Sequence, residues 1–212
     1  MKMEGVTSAN GSYGISENPY TVAGFGFVDA FLSEAPKGSF TFNRKMISKD
    51  PFVYDPEEDF PFDDRDYFSG AILYGNKGFG FERARLTNYS ISCGIDEIPE
   101  ISVQFEVLGD VGPHIIPEVD PTESVPMEIP SQGSIKVTCV PTGEGEIFST
   151  NHVSNFRYER SVNLEEVYAL PTGTEEMWQS DEPIDLSNTF PIQVDIVDPI
   201  EVDISFSIVV ND

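Results

Sequence analysis

The chain has 212 residues, of which 39% are hydrophobic and 12% aromatic, and this content excludes a disordered chain. Its 37 Asp and Glu against 12 Lys and Arg give a formal net charge of -25, which disfavours proteins that grip nucleic acid or anionic membranes by neutralising phosphate. The sequence contains no apolar run long enough to span a bilayer and no apolar stretch near its start. We therefore expect neither a membrane span nor a signal peptide.

Alternation of apolar and polar residues predicts strands along most of the chain. The predicted strands are, in chain order, 39–43, 71–74, 79–85, 89–95, 101–107, 135–140 and 200–208. The turn sequence at 75–78 joins the second and third of these as a hairpin, and the turn at 94–99 joins the fourth and fifth. A strand-rich chain with short connections and dispersed Gly and Pro is typical of an antiparallel barrel or sandwich.

Helical periodicity is scarce. Asn163 stands in an N-cap position before two glutamates, and Pro171 provides a stop, so 163–170 is predicted as one short helix. A single helical turn is a further option at 28–32. The fold class is therefore predicted as all-β, an antiparallel β-barrel or sandwich with one short helix and long loops.

The chain is predicted to form a single β-rich domain, 1–212, with the option of two related halves. These halves, about 1–112 and 131–212, are separated by a proline-rich spacer at 113–130. The stretch 85–107 has a loose echo in 153–170 followed by 198–206. Both run from Asn and an aromatic residue through an alternating strand, an insert and a proline to a second alternating strand.

The segment 49–67 is predicted to be a long loop, since three prolines interrupt it and eight carboxylates face only Lys49 and Arg65. Four aromatic residues in it are unusual for a solvated loop: Phe52, Tyr54, Phe60 and Phe62. Aromatic side chains tend to dominate the energetics of interfaces. These four residues are therefore candidates for an assembly interface, at which the loop docks on a neighbouring subunit. The alternative is that they pack back on their own barrel.

The sequence offers no catalytic constellation. Its glycine-rich stretches lack the Lys of a phosphate loop and the third Gly of a dinucleotide fingerprint. Cys93 and Cys139 have no partner as base or metal ligand and are interpreted as buried apolar groups, and His114 and His152 as loop residues. No catalytic residue, metal ligand or cofactor is predicted, and the protein is not expected to be an enzyme.

Two other functional classes are alternatives to this expectation. A hydrolase would use a pair of carboxylates, but with so many acids no spacing singles out a pair. A carbohydrate- or calcium-binding β-sandwich would use the acidic clusters at 55–59 and 63–66, although the spacing of an EF-hand is absent. A strand-rich acidic chain without a reaction centre favours a role in assembly.

The segment RLTNYSISCGIDEIPEISVQFEVLGD, residues 85–110, resembles the strand, turn, proline and strand element of tail tube and related tail proteins of double-stranded DNA bacteriophages. The stretches 153–160, 166–170 and 198–208 are similar to the closing part of such proteins. Together these patterns cover roughly half of the chain. The acidic loop at 49–67 and the proline-rich spacer have no counterpart that we can place in that family, which keeps a baseplate, distal-tail or tail-completion protein as an alternative.

The resemblance implies a virion structural subunit that is assembled in the host cytoplasm. Six copies would close into a ring, and rings would stack with other tail proteins into a tube. DNA would pass through the bore without specific binding, because a wall rich in carboxylates repels phosphate.

Three carboxylates are candidates for lining the bore: Glu106, Glu201 and Asp203. The last two alternate with apolar residues of the final strand, namely Ile200, Val202, Ile204 and Phe206. We expect these apolar residues to face a core, which would place the carboxylates on the opposite face of the sheet. That face could equally be outer surface.

Overall fold

The computed structural model describes residues 3–14, 17–22, 26–32, 37–47, 50, 52, 67–74, 77–115, 129, 136–139, 148–168 and 191–209. Within these ranges the protein is all-β, with twelve strands and no helix. The strands are β1 (Val6–Gly14), β2 (Glu17–Val22), β3 (Gly26–Leu32), β4 (Lys37–Lys45), β5 (Phe68–Tyr74), β6 (Lys77–Gly94), β7 (Glu100–Val107), β8 (Val111–Gly112), β9 (Val137–Cys139), β10 (Phe148–Thr150), β11 (Val153–Val167) and β12 (Gln193–Ile208). The prediction of an all-β fold is confirmed.

Eight strands form one antiparallel sheet, whose main path runs β1-β4-β7-β6-β11-β12. The first part of β6 also pairs with β5 and β8, so the long β6 belongs to two parts of a sandwich-like arrangement rather than to a closed barrel. Two small sheets, β2-β3 and β9-β10, complete the described strands. β11 and β12 follow the proline-rich spacer in sequence, yet they pair in the same sheet as β6.

Both predicted hairpins are confirmed. β5 and β6 pair antiparallel up to Tyr74 opposite Lys77, and β6 and β7 place Ile91 opposite Ile101. The burial of β7 alternates along the strand as its sequence predicts, with Ile101, Val103, Phe105 and Val107 buried.

The predicted helix at 163–170 is wrong for the part that the structure describes. Residues 163–167 continue β11 and pair with 193–197 of β12, with Leu164 opposite Ile196. Cross-strand pairing of apolar side chains overrides the weak local helix signals at this site. The optional turn at 28–32 is also wrong, because these residues belong to β3.

The core lies on one face of the β4-β7-β6 part of the sheet. Its buried cluster is made of Phe40, Phe42, Phe81, Ala84, Tyr89, Ile101, Val103, Phe105 and Val107. Phe105 stands at its centre, with ring centroids of Phe42, Phe52, Phe68 and Phe81 within 5.3 to 6.2 Å of its own. Apolar burial of this kind is the main favourable term in folding.

The start of the acidic loop is fastened to this core. The Asp50 carboxylate lies 3.5 Å from the Arg44 guanidinium, and both side chains are buried, at 0% and 1% exposure. Asp50 also accepts hydrogen bonds from the Tyr89 hydroxyl, at 2.7 Å, and from the backbone N–H of Phe52, at 3.1 Å. A buried carboxylate is tolerable only with such partners.

Phe52 is partly buried and packs against its own core, as the alternative interpretation of the loop expects, and its place at a subunit interface stays a prediction. Asp50 accepts the backbone N–H of Phe52 and so holds this part of the chain against the sheet. The Phe52 ring centroid lies 6.4 Å from that of Phe42 and 6.0 Å from that of Phe68. The other three interface candidates, Tyr54, Phe60 and Phe62, lie outside the described residues.

Candidate functional site

The last strand leaves an apolar surface uncovered at the end of the sheet. Val202, Ile204 and Phe206 of β12 are exposed by 49%, 61% and 37%, and Ile208 is exposed as well. The expectation of a core-facing row is therefore wrong for Val202, Ile204 and Phe206, while Ile200, the fourth residue of that row, is partly buried. They lie on the core side of the sheet, but the described residues of the core cluster pack over β4, β7 and β6 and not over β12.

One row of residues across the sheet shows where the burial of the apolar side chains ends. Ile101 of β7, Ile91 of β6, Tyr158 of β11 and Ile204 of β12 stand opposite one another in register. Ile101 is fully buried, Ile91 and Tyr158 are partly buried, and Ile204 is mostly exposed. The apolar side chains of this row thus extend from the core to the last strand, where they are exposed to solvent. Contiguous exposed apolar surface of this kind marks an interaction site.

The opposite face of the same sheet is polar. The row Thr41, Gln104, Asn88, Ser161 and Glu201 crosses five strands, and Asp203 stands in the next row opposite Glu159. Asn88 donates hydrogen bonds to Ser161 at 3.0 Å and to Glu159 at 3.2 Å, which ties β6 to β11 on this face. Glu201 and Asp203 are exposed here, on the face opposite the apolar strip, as the alternation predicts.

Glu106 lies on the same polar face but is not exposed like the other two lumen candidates. It is partly buried and hydrogen-bonded to Glu166 of β11. This contact arises because β11 bulges between Ser161 and Asn163, and its pairing with β6 ends at Ser161. The sequence gives no sign of this contact, because it joins two distant strands through an irregularity in one of them.

Beyond the bulge, residues 162–168 and 191–197 form a two-stranded ribbon that packs against the sheet. Val162 and Val194 of this ribbon are buried. Arg85 donates a hydrogen bond to the carbonyl of Val194 at 3.3 Å, and Arg83 donates one to the carbonyl of Pro191 at 2.7 Å. Both guanidinium groups also lie over the Tyr67 ring, at 4.0 Å for Arg85 and 5.1 Å for Arg83.

A cleft of about 540 Å³ separates part of the ribbon from β1, β4, β6 and β7. Its polar lining includes Ser12, Ser39, Thr87, Gln104 and Glu106. Much of this lining is bonded within the protein: the hydroxyls of Ser12 and Ser39 are 2.8 Å apart, and Thr87 donates to the carbonyl of Gln104.

Two acids at the edge of the cleft, Glu106 and Glu166, interact with neighbouring charged and polar side chains. Lys37 lies 3.3 Å from Glu166, and the Tyr168 hydroxyl donates a short hydrogen bond to the same carboxylate. Burial raises the pKa of Glu106, and the neighbouring Glu166 carboxylate raises it further, while Lys37 acts in the opposite direction. Burial and the acidic neighbour therefore both favour the neutral form of Glu106.

This carboxyl pair does not have the spacing of a glycoside hydrolase. Such enzymes hold their two carboxyl groups about 5–5.5 Å apart in retaining sites and farther apart in inverting sites, leaving room for a sugar or a water. Glu106 and Glu166 are in direct hydrogen-bond contact. Among the residues that the structure describes, no group of three or more His, Cys, Asp or Glu is arranged to hold a metal ion. The acidic clusters at 55–59 and 63–66 lie outside those residues.

The remaining residues to report are the two cysteines and the two histidines of the chain. Cys93 is buried as predicted, and burial raises the pKa of its thiol. His114 and His152 are exposed. The side chain of Cys139 lies outside the described residues.

None of the described segments forms a helix that is long and apolar enough to cross a membrane. No protein-family model matches the chain, and no curated protein sequence matches it.

Proposed function

We propose that the protein is a structural subunit of a double-stranded DNA bacteriophage tail, in which copies of the chain join side by side into rings. The proposal is supported chiefly by the apolar strip Val202, Ile204, Phe206 and Ile208 at the open end of the sheet. Natural sheets protect their edge strands with charges, prolines or short length. β12 carries such charges on its polar face, Glu201 and Asp203 among them, but its other side is apolar and exposed, and a surface of this kind is suited to a partner.

A second copy fits this edge because β1, at the other end of the sheet, pairs only with β4 among the described strands. β1 is nine residues long and contains no charged residue, so its backbone groups are not guarded against a neighbouring strand. Ala9 of β1 packs on the core side of the sheet, the side on which the β12 strip lies. Two different patches at opposite ends of one sheet produce head-to-tail contacts, which close into a ring when the rotation permits.

The polar face of the sheet would line the bore of such a ring. Glu201 and Asp203 stand on this face at the last strand and would repel the phosphates of passing DNA. Glu106 is left out of this role because the ribbon covers it. The resemblance to tail tube proteins implies six copies per ring, stacking with other tail proteins, and assembly in the host cytoplasm. A baseplate, distal-tail or tail-completion position is the alternative within the same class.

Replacing Ile204 with lysine is expected to abolish assembly without unfolding the subunit. The side chain is mostly exposed in the single chain, so the change should alter the free energy of unfolding by no more than about 0.5 kcal/mol. In a ring it would bury an unpaired charge. Sedimentation velocity over a range of concentrations, with negative-stain microscopy, would measure the loss.

Ser205→Lys is the matched control, because Ser205 is the next residue of the same strand and points to the opposite face. This variant should assemble like the natural chain. A natural chain that stays monomeric at every concentration, or an Ile204→Lys variant that still forms rings, would refute the proposal.

Ring formation is also expected to strengthen as ionic strength rises. A subunit with a net charge of -25 repels its copies, and salt screens this repulsion. The double variant Glu201→Gln with Asp203→Asn should assemble at lower salt than the natural chain if these side chains crowd around a bore. An unchanged salt dependence in a sedimentation series would place the two carboxylates on the outer surface.

A further inference from the structure

The cleft between the ribbon and the sheet lies on the polar face, opposite the face that carries the apolar strip. Its volume of about 540 Å³ falls within the range of sites that hold small molecules. One wall is formed by β1, β4, β6 and β7, and the other by the start of the ribbon at residues 162–164. A molecule in this cleft would therefore contact side chains of both walls at once.

Two amide side chains line the cleft from opposite walls. Gln104 belongs to β7 and Asn163 to the ribbon, and both are exposed. Neither amide makes a hydrogen bond to another described residue, since the bond at Gln104 uses its backbone carbonyl, which accepts the Thr87 hydroxyl. An amide group offers both donors and an acceptor. Each wall thus presents both kinds of hydrogen-bonding group to a molecule in the cleft.

A pair of hydroxyl groups adds to the sheet wall. Ser12 and Ser39, the serine pair, stand opposite each other on β1 and β4, and their hydroxyl oxygens are 2.8 Å apart. Only one of the two hydroxyl protons lies in that bond. The serine pair can therefore donate its other proton to a molecule in the cleft and can also accept a hydrogen bond from it.

The charges around the cleft disfavour an ionic molecule. Among the described residues that line it, Lys37 is the one cation, and its ammonium lies 3.3 Å from the Glu166 carboxylate. Glu106 is also part of the lining, and the chain has a net charge of -25, so an anion would be repelled. A cation would meet Glu106 but also the Lys37 ammonium. The free amides and hydroxyls instead suit a neutral molecule that is rich in hydroxyl groups.

We propose that the cleft binds a neutral saccharide of one or two rings, held by Gln104 and the serine pair on one wall and by Asn163 on the other. Sugar rings carry hydroxyl groups around their rim and C–H groups on their faces, and the ribbon wall also supplies apolar contacts from Val162 and Leu164. Every group of the site belongs to one chain. The proposal therefore goes beyond the proposed function and does not rest on ring assembly.

The test is saturation-transfer NMR on the full chain, which detects bound small molecules on a single subunit and on a ring alike. The probes are glucose, galactose, N-acetylglucosamine and maltose. At least one of them should bind saturably, and isothermal titration calorimetry should give a Kd of about 1 mM or tighter. Absence of saturable binding by all four saccharides would overturn the proposal.

Trialanine is included as a neutral peptide probe. The ribbon pairs only with itself beyond the bulge among the described strands, so its backbone edge is a second surface on which a neutral chain could bind. We expect trialanine to show no saturable binding in the cleft. If trialanine binds and no saccharide does, the cleft is a peptide site and the proposal fails.

Two variants locate the site. Gln104→Ala and Asn163→Ala each remove an exposed amide from one wall, so each should leave the fold intact and weaken saccharide binding about tenfold. Asn10→Ala is the matched control, because Asn10 is an exposed amide of β1 in the same row of the sheet as Gln104 but outside the cleft. It should bind like the natural chain. An unchanged Kd in either cleft variant, or an equal loss in Asn10→Ala, would contradict the proposed site.

Discussion

Replacement of Asp50 by alanine is expected to lower the free energy of unfolding by about 3–5 kcal/mol. The Asp50 carboxylate is the partner of the buried Arg44 guanidinium and accepts the Tyr89 hydroxyl and the Phe52 backbone N–H. Its loss would remove the carboxylate that lies 3.5 Å from the Arg44 guanidinium and the acceptor of both the Tyr89 hydroxyl and the Phe52 backbone N–H. Urea denaturation followed by far-ultraviolet circular dichroism would measure the change.

Two controls separate this effect from a general loss of charge. Tyr89→Phe removes one hydroxyl and keeps the ring in the core, so it should cost only about 1–3 kcal/mol. Glu100→Ala breaks the Lys45–Glu100 pair, whose side chains are 39% and 46% exposed, and should cost far less than Asp50→Ala. If Asp50→Ala proved no more destabilising than Glu100→Ala, the buried pair would have no role in holding the loop to the sheet.

Phe105→Ala is expected to destabilise the protein by a similar amount, about 3–5 kcal/mol. The ring is almost fully buried and lies against four other aromatic rings, so its removal leaves a cavity that rigid neighbours cannot fill. Thermal or urea unfolding would measure the difference.

The matched control is Phe206→Ala, which removes the same side chain from the exposed strip of β12. In the monomer it should cost far less than Phe105→Ala, since part of that ring is already in water. Equal losses of stability for the two variants in the monomer would mean that the strip is covered within a single chain, and this would also count against the proposed subunit contact.

The sequence predicts a strand well where one face of the strand is apolar and buried and the other is polar along its whole length. β7 alternates between core and polar face over its whole length, so its pattern, its hairpin with β6 and its buried residues could all be predicted. In the stretch 163–167 the order of polar and apolar residues fits both a helix and a strand. Pairing with the strand at 193–197 decides between the two structures. Local patterns carry no information about a partner that lies beyond the next loop.

The candidate site was predicted in part, and for a related reason. Alternation shows that Ile204 and Asp203 point to opposite faces, but it does not show which faces are covered, and the apolar face of β12 proved to be the uncovered one. The contact between Glu106 and Glu166 depends on a bulge in β11 that brings together two residues far apart in sequence. Neither the bulge nor the contact leaves a recognisable pattern in the sequence.

The order of the strands in the sheet bears on how the protein folds during its synthesis. All buried members of the core cluster lie between Phe40 and Val107, so they leave the ribosome before β11 and β12, which add Tyr158, Val162 and Val194 to the buried apolar surface later. Until then the later part of β6 is an edge strand, with the backbone groups of residues 88–94 open to any neighbouring chain. The nascent protein is thus most prone to aggregate while residues 116–152 are being translated, and β11 ends this interval by pairing with β6.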